Sequence, residues 1–506
     1  MPAKIYSAEL EGIQAKPIEV EVDLNVGLHS FNIVGLADKA VNEAKERVNS
    51  ALKNLGVKPP NRENRRITVN LAPAQIKKNG THYDLAIAIG YLLATKQILE
   101  NDFSKFIFAG ELALDGRLRP IDGALNIAEM ASNKKFEFLL LPKENANEAS
   151  AVYGIKIIPI GTLKEALEFI ENKIEIPAHE FSPETGEDKN ISDFSEIKGQ
   201  FQAKRAAIIS AAGAHNLLMV GPPGSGKSMI AKAIAGILPS LTREDSIEIT
   251  KIYSAVGLHP GGLIATRPFR SPHQTSSLVS VVGGGPNPRP GEASLAHKGI
   301  LFLDELPEFP RSVLEALRSP MEDGVINVSR AKGSLSFPAK FSLVAAMNPC
   351  PCGYYGDPEK ECRCGAYEVI KYQRKISGPL LDRIDLQVKV SRTKVSDLRA
   401  ENQNAERESD KIRASVEAAR HIQKNRFKNL GISTNSEMTS RQTETLAEVG
   451  EDANKFLASL DKSKISPRGY FRLIKTARTI ADLADCKQIS AEHLAEAWTF
   501  RFKEEV

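Results

Sequence analysis

Cysteine is nearly absent outside one loop, long apolar runs are missing, and the two signs of charge almost cancel. Only five of 506 residues are cysteine, and four of them, Cys350, Cys352, Cys362 and Cys364, fall within NPCPCGYYGDPEKECRCG (348–365). That is no disulfide framework, and in a reducing compartment such a cluster points to a metal rather than to cystine. No run of about 18 apolar residues occurs, and the opening MPAKIYSAELEGIQAKPIEV has no apolar signal core. Secretion and membrane spanning are therefore not expected, and the expected location is cytoplasmic. A net charge of +4 names no partner, so any case for nucleic acid has to come from where the basic residues sit. With 42% hydrophobic and 26% charged residues, the composition is that of a soluble globular chain of about two to four domains. No internal repeat or low-complexity tract is visible.

The hydrophobic patterning divides the chain. Residues 1–172 read as mixed α/β, with strand-like ITVNLAP (67–73), FIFAGELAL (106–114) and FEFLLLP (136–142) separated by helical stretches. The Pro-rich, acidic IEIPAHEFSPETGEDKN (174–190) has no apolar period and reads as an exposed linker over 173–192. Over 193–393, short all-apolar runs alternate with helical segments, the pattern of a parallel sheet with crossover helices. Residues 394–506 read as almost wholly helical.

The strongest chemical signal is NLLMVGPPGSGKS. An apolar strand feeds Gly221, Pro222, Pro223, Gly224, Ser225, Gly226, Lys227 and Ser228, and a helical pattern follows, which is a P-loop in its required setting. Backbone N–H groups of such a loop turn onto the phosphates of ATP, Lys227 reaches the β and γ oxygens, and the Ser228 hydroxyl coordinates Mg²⁺. Further on, GILFLDELPEF puts Asp304 and Glu305 at the end of a second strand-like run. The first carboxylate suits Mg²⁺ and the second suits the polarisation of a water. A third run, FSLVAAMN, ends in Asn348, placed to touch the γ-phosphate or its water.

GPPGSGKS, LFLDE and the strand-terminal Asn348 resemble the Walker A, Walker B and sensor 1 elements of AAA+ ATPases. More narrowly, KGQFQAKRAAIISAAGAHNLLMVGPPGSGKS, PRPGEASLAHKGILFLDELPEF, AAMNPCPCG and KISGPLLDRIDL resemble the Mg-chelatase-like ComM/YifB family, related to the chelatase I subunit and to minichromosome-maintenance helicases. The resemblance covers essentially the whole chain. It implies an ATP- and Mg²⁺-dependent motor, a homo-oligomeric and hexameric ring, acting on single-stranded or branched DNA as a helicase or branch-migration enzyme in recombination during DNA uptake. It further implies that residues 197–200 lie near adenine, that Arg383 is an arginine finger inserted into a neighbouring subunit, and that Arg468 is sensor 2 of a C-terminal lid. Ser466 as N-cap and Pro467 at the first helical position put Arg468 in the first turn of that lid helix. Arg472, four residues on, is the competing candidate.

The N-terminal part, through ITVNLAPAQIKKNGTHYDLAIAIGYLLA and IFAGELALDGRLRPIDGALNIAEMA, resembles the proteolytic domain of Lon, a ribosomal S5 domain 2-like α+β fold. The position of Lon's nucleophilic serine falls at His82 and that of its lysine at Leu125, so the dyad is missing and the fold is expected to act as a scaffold or binding module. Lys77 and Lys78 are expected on a solvated basic edge.

The C-x-C-x9-C-x-C spacing can close a tetrahedral zinc site that braces the loop; inert thiols and a redox pair are the alternatives. Cys486 is expected in a helical core. MEDGVINVSRAKGSLSFPAKF alternates on both sides of 331–333, a hairpin whose basic tip carries Arg330 and Lys332. The Gly/Pro-rich stretch before it adds Arg267, Arg270, His273 and Arg289. In the pore of a ring these cations suit a phosphate backbone. The rival readings are a chelatase-type protein-remodelling ATPase and a Lon-like protease.

Overall fold

The computed structural model describes every residue except 1, 63, 100–101, 184–191, 259–260, 331–332, 393–407, 461–464 and 502–506. The chain forms two compact units. One comprises Met1–Thr185 with Arg243–Ala265, and the other Gly186–Thr242 with Thr266–Val506.

In the first unit, strands β1 (Ala3–Glu11), β2 (Gln14–Val26), β3 (Ser30–Val34) and β4 (Arg65–Ala72) build a sheet in the order β1-β2-β4-β3, antiparallel except for the β3–β4 pair. Alternation selects its buried face: Ile18, Val20 and Val22 of β2 and Ile67, Val69 and Leu71 of β4 are buried, as a period of two requires. The helix Lys39–Leu55 covers this face with Val41, Ala44, Val48, Ala51 and Leu52; Asp38 caps its start by accepting from Val41 N, and Gly56 ends it. The helix Asp84–Ala94 is apolar nearly all round and is buried nearly all round. The short strands β5 (Phe106–Phe108), β6 (Glu111–Leu112), β7 (Leu118–Arg119), β8 (Phe138–Pro142) and β9 (Lys156–Ile160) follow, with β5-β8-β9 forming a parallel sheet.

Two features of this unit differ from the sequence reading. The helix Arg243–Ala255, read as part of the 193–393 region, packs here: Gly123 N donates to Ser254 O at 2.9 Å, and Lys251 pairs with Glu129 at 2.6 Å. The linker expected from 173 is held along its described part, since His179 N donates to Ile157 O and Ser182 N to Asn147 Oδ1. Its residues 184–191 lie outside the described residues.

In the second unit, β10 (Leu217–Val220), β11 (Phe269–Arg270), β14 (Ile300–Leu303), β17 (Ser342–Met347) and β18 (Leu386–Lys389) form a five-stranded, wholly parallel sheet ordered β11-β14-β17-β10-β18. Its central strands are buried on both faces, which explains their uninterrupted apolar sequences. Two antiparallel pairs stand beside it, β12 (Gly283–Gly284) with β13 (Arg289–Pro290), and β15 (Val325–Arg330) with β16 (Gly333–Pro338). In the latter, Ile326 faces Phe337 and Val328 faces Leu335, the register expected for the hairpin. After β18 all regular elements among the described residues are helical. The helices Glu408–Arg426 and Pro467–Leu483 share one core with the parallel sheet: Val416, Ala419, Leu473, Ala477 and Ile480 cluster with Leu217, Met219 and Val344.

Candidate nucleotide site

Parallel strands end in loops on one edge of their sheet, and open α/β sheets bind ligands there. Here three neighbouring strands, β10, β17 and β14, end in the P-loop, in Asn348 and in Asp304 respectively. Register brings Val220 level with Met347, and Gly221 N donates to Met347 O at 3.2 Å, so Asn348 stands beside the start of the P-loop. Glycine is obligatory at 221, because a Cβ there would lie 2.1 Å from the Val390 carbonyl oxygen.

Lys227 opens the helix Lys227–Ile237 and is buried. Its ammonium donates to Gly221 O and Pro222 O at 2.8 Å each and reaches Asn348 Oδ1 at 3.3 Å. Burial lowers its pKa, against the opposing charges of Asp304 and Glu305. Ser228 Oγ donates to Asp304 Oδ2 at 2.8 Å, and Asp304 Oδ1 accepts from Glu305 N at 2.9 Å. A hydroxyl and a carboxylate oxygen at a helix N-terminus, with an ammonium nearby, fit Mg²⁺ and the phosphates it accompanies. Glu305 is exposed and left-handed, with φ of 51°, a conformation that costs a non-glycine residue about 1 kcal/mol. It turns the carboxylate away from the strand direction just after Asp304.

The arginines lie elsewhere. Asn216, immediately before β10, accepts through its carbonyl from Asp385 N and Leu386 N, and its side chain donates to Arg383 O at 2.9 Å. Arg383 and Asp385 therefore sit at the N-terminal edge of the sheet, opposite the P-loop and separated from it by the four residues of β10, roughly 13 Å. Arg383 is nearly buried; it donates to Arg318 O and Pro379 O and pairs with Glu322 at 2.7 Å. Arg468 pairs with the other oxygen of the same carboxylate at 2.8 Å. Both guanidinium groups thus meet on Glu322. Ser466 caps the lid helix as expected, accepting from Gly469 N. Arg472 is withdrawn as a nucleotide ligand: it donates to Asp385 Oδ1 at 2.5 Å and to Arg383 O at 2.9 Å. Asp385 is fully buried and, despite that desolvation, is held well below the usual carboxylate range by Arg472, His215 and the Asn216 N–H. Near the proposed adenine segment, Ile197 is buried and the Gln200 side chain donates to Ser391 O.

The four cysteines converge, with all four Sγ atoms within 4.8 Å of one another. Cys350 Sγ lies 3.4 Å from Cys352 Sγ and 3.6 Å from Cys362 Sγ. Tetrahedral zinc with bonds near 2.3 Å sets sulfur atoms about 3.8 Å apart, so the quartet needs little movement to fit. Backbone amides already face the sulfurs, Cys352 N to Cys364 Sγ at 3.4 Å and Tyr355 N to Cys350 Sγ at 3.3 Å, as thiolate ligands require.

Several sequence expectations need correction. Cys486 is exposed rather than core, because its helix ends at Leu483 and left-handed Asp485 turns the chain outward. Lys78 is buried rather than solvated, its ammonium donating to Pro73 O and its pKa lowered by desolvation; Lys77 is exposed. Arg267 donates to Pro239 O and Lys298 O at 2.6 and 2.7 Å, and Arg270 forms a two-point pair with Glu292, so both guanidinium groups bind the fold itself. Arg289 is exposed, as is His273, whose Nδ1 lies 2.8 Å from Thr275 Oγ1. Arg330 ends β15 opposite Gly333; Lys332 lies outside the described residues. At the Lon-like positions, His82 Nε2 contacts Ala8 O at 2.7 Å and Leu125 is buried. Sequence reasoning missed Glu322 and Asp385. The second was detectable as a carboxylate two residues from Arg383, whereas nothing in the sequence marked Glu322.

Family models match three long segments of the chain. Residues 193–398 match "Magnesium chelatase, subunit ChlI", residues 20–145 match "Subunit ChlI of Mg-chelatase", and residues 406–501 match its C-terminal model. Competence protein ComM of Haemophilus influenzae is 42% identical over 99% of this chain and 97% of its own length. The chain belongs to the Mg-chelatase-like ComM/YifB family. The uncharacterized protein YifB of Escherichia coli is 40% identical over 98% of this chain and 96% of its own. The magnesium-chelatase 38 kDa subunit of Rhodobacter capsulatus is 27% identical over 31% of this chain and 51% of its own. No helix among the described residues of this family member is long and apolar enough to cross a membrane.

Proposed function

We infer that the chain is an Mg²⁺-dependent ATPase that works as a ring, with DNA as its substrate. The observation that carries the ATPase reading is the convergence of Lys227, the Ser228–Asp304 pair and Asn348 at the ends of three adjacent parallel strands. In that setting Asp304 and Ser228 hold the metal, Lys227 neutralises the phosphates, and Glu305 orients the attacking water. The opposite edge supports the ring reading. Arg383 lies a strand length from its own P-loop and Arg468 shares its Glu322 partner, so a phosphate served from this edge would belong to a neighbour, and a head-to-tail contact of this kind makes a ring where its rotation closes. Six subunits is the family expectation.

DNA is supported by the competence relative and by the hairpin β15–β16. The cations proposed to grip phosphates are Arg330, Lys332 and Arg289; Arg267 and Arg270 are better read as structural. The work done would be helicase action or branch migration, in the cytoplasm, where a reduced four-cysteine loop is at home. That loop is read as a structural Zn²⁺ site. The domain scheme of 1–172, 193–393 and 394–506 is kept as the functional division, with the N-terminal part a scaffold that lacks the Ser–Lys dyad. The test is the ATPase rate with and without single-stranded, duplex and branched DNA. Stimulation supports the motor. A rate indifferent to all three favours the protein-remodelling reading, which the chelatase relationship of every matched segment keeps in play.

A further inference from the structure

The cysteine loop is built against the nucleotide loop. Between Pro349 and Gly365 there is no helix or strand, and Cys350 and Gly353 are the residues buried there as a whole, so little apolar burial offsets the entropy of ordering this segment. Yet the loop makes specific contacts. Gly353 lies so close to the P-loop that a Cβ would sit 2.6 Å from Pro223 Cδ, and its φ of +85° already demands glycine. The ring of Tyr354 is covered by Lys360 Nζ at 4.0 Å and by the guanidinium of Arg392 at 5.2 Å. Arg392 also pairs at 3.4 Å with the buried carboxylate of Asp357, whose Oδ1 accepts from Glu359 N and Lys360 N. Arg392 stands three residues beyond the end of β18, next to Ser391, whose carbonyl accepts from Gln200. The start of the loop is tied down by Gln373, which donates to Pro349 O.

We propose that the four-cysteine loop is a metal-held clamp on the ATP site: Zn²⁺ at the four thiolates keeps Gly353 against Pro223 and keeps Tyr354 and Asp357 on Arg392, so that metal occupancy and nucleotide affinity are coupled. The inference rests on the zinc reading for its metal and goes beyond it in giving that metal control of nucleotide binding. The thiolates are the cross-link that replaces the missing core, and removing the metal frees both the turn under Pro223 and the strand exit beside Gln200. A closed four-sulfur site leaves no open coordination position, so the metal acts on ATP only through these contacts. Coupling is reciprocal: if zinc tightens nucleotide binding by some factor, nucleotide must tighten zinc binding by the same factor.

The experiment uses the full-length protein purified without added metal. Elemental analysis should find one Zn²⁺ per chain. Affinity for ADP and for a non-hydrolysable ATP analogue is then measured before and after zinc removal, with Mg²⁺ restored to both samples, and zinc release to a chromogenic chelator is measured with and without the same analogue. We expect nucleotide affinity to fall by roughly 5- to 150-fold on zinc removal and zinc to be retained more tightly by that same factor when nucleotide is bound. Tyr354→Ala combined with Asp357→Asn keeps all four sulfurs, so it should keep its zinc while losing nucleotide affinity; this arm stands even where the stripped protein unfolds. Stoichiometric zinc with unchanged nucleotide affinity, in the stripped protein or in the double variant, overturns the clamp and leaves the zinc site standing. Absent zinc with four freely titrating thiols overturns both.

Discussion

The position of Arg383 makes a quantitative prediction about mixed assemblies. Its side chain is at the sheet edge opposite the P-loop, roughly 13 Å of strand away, further than an arginine can bridge. A role in hydrolysis therefore requires the site of one subunit to be completed by the next. Alone, Arg383→Ala should lower turnover by about 10³-fold or more with ATP affinity little changed, and Lys227→Ala should abolish nucleotide binding. Mixed, the two inactive proteins should recover activity. A site works when a subunit with intact Lys227 is followed by one with intact Arg383. With random assembly at a 1:1 ratio this holds for about one quarter of sites, whatever the ring size, because each head-to-tail contact involves only two subunits. The steady-state ATPase rate against mixing ratio should trace a parabola peaking at equal amounts. Since Arg383 also holds Arg318 O, Pro379 O and Glu322, Arg383→Gln should be run in parallel to preserve part of that bonding. Mixed rings, verified by size, that show no recovery at any ratio would refute the shared site.

Glu305→Gln should bind ATP and assemble normally while turnover nearly vanishes, since the P-loop and the Ser228–Asp304 pair are untouched; equal single-turnover rates in variant and wild type would remove Glu305 from the mechanism. Asp385→Asn leaves Arg472 buried without its counter-charge and should destabilise the second unit by about 3–5 kcal/mol, read from denaturant midpoints. Because the folded-state pKa of Asp385 is depressed, its stabilisation is complete above the unfolded pKa and is lost as pH falls below about 4; wild type should lose stability there and Asp385→Asn should show a smaller loss. Replacing Arg330 and Lys332 with Ala should weaken DNA binding without sequence preference and reduce the slope of log K against log salt by about 0.7 to 0.9 for each lost phosphate contact, with basal ATPase retained. An unchanged slope would direct attention to Arg289, and silence there too would favour a polypeptide substrate.

The convergence of Lys227, Asp304 and Asn348 was legible because the motifs that carry it are written locally. A buried strand, a tight glycine turn and a helix start are consecutive in 217–237, and the same holds for Asp304 after β14 and Asn348 after β17. The hairpin was legible for a similar reason, as cross-strand partners lie no more than 13 residues apart. The failures come from the opposite condition. Arg267 and Arg270 look available in a Gly/Pro-rich stretch, yet their partners, Pro239, Lys298 and Glu292, are 22 to 31 residues away, and no periodicity encodes such pairings. Lys78 looks solvated beside Lys77, but a single step in a loop buries one and exposes the other.

The same distinction separates what Arg383 is from what it does. The DRID segment announces an arginine between two carboxylates, and by itself that is a surface ion pair. Three long-range facts change its meaning: Asn216 ties it to the far end of β10, Arg472 binds its carbonyl from the lid helix, and Glu322 joins it to Arg468. Asp385 links the first two, since it accepts from both Asn216 N and Arg472. Any shift of Arg472 would therefore load the backbone on which Arg383 sits, and Arg468 stands on the same helix. If that edge serves a neighbour's phosphate as proposed, it is joined through Asp385 and Glu322 to the C-terminal helix of its own subunit, the connection a ring needs for hydrolysis at one site to be felt at the next.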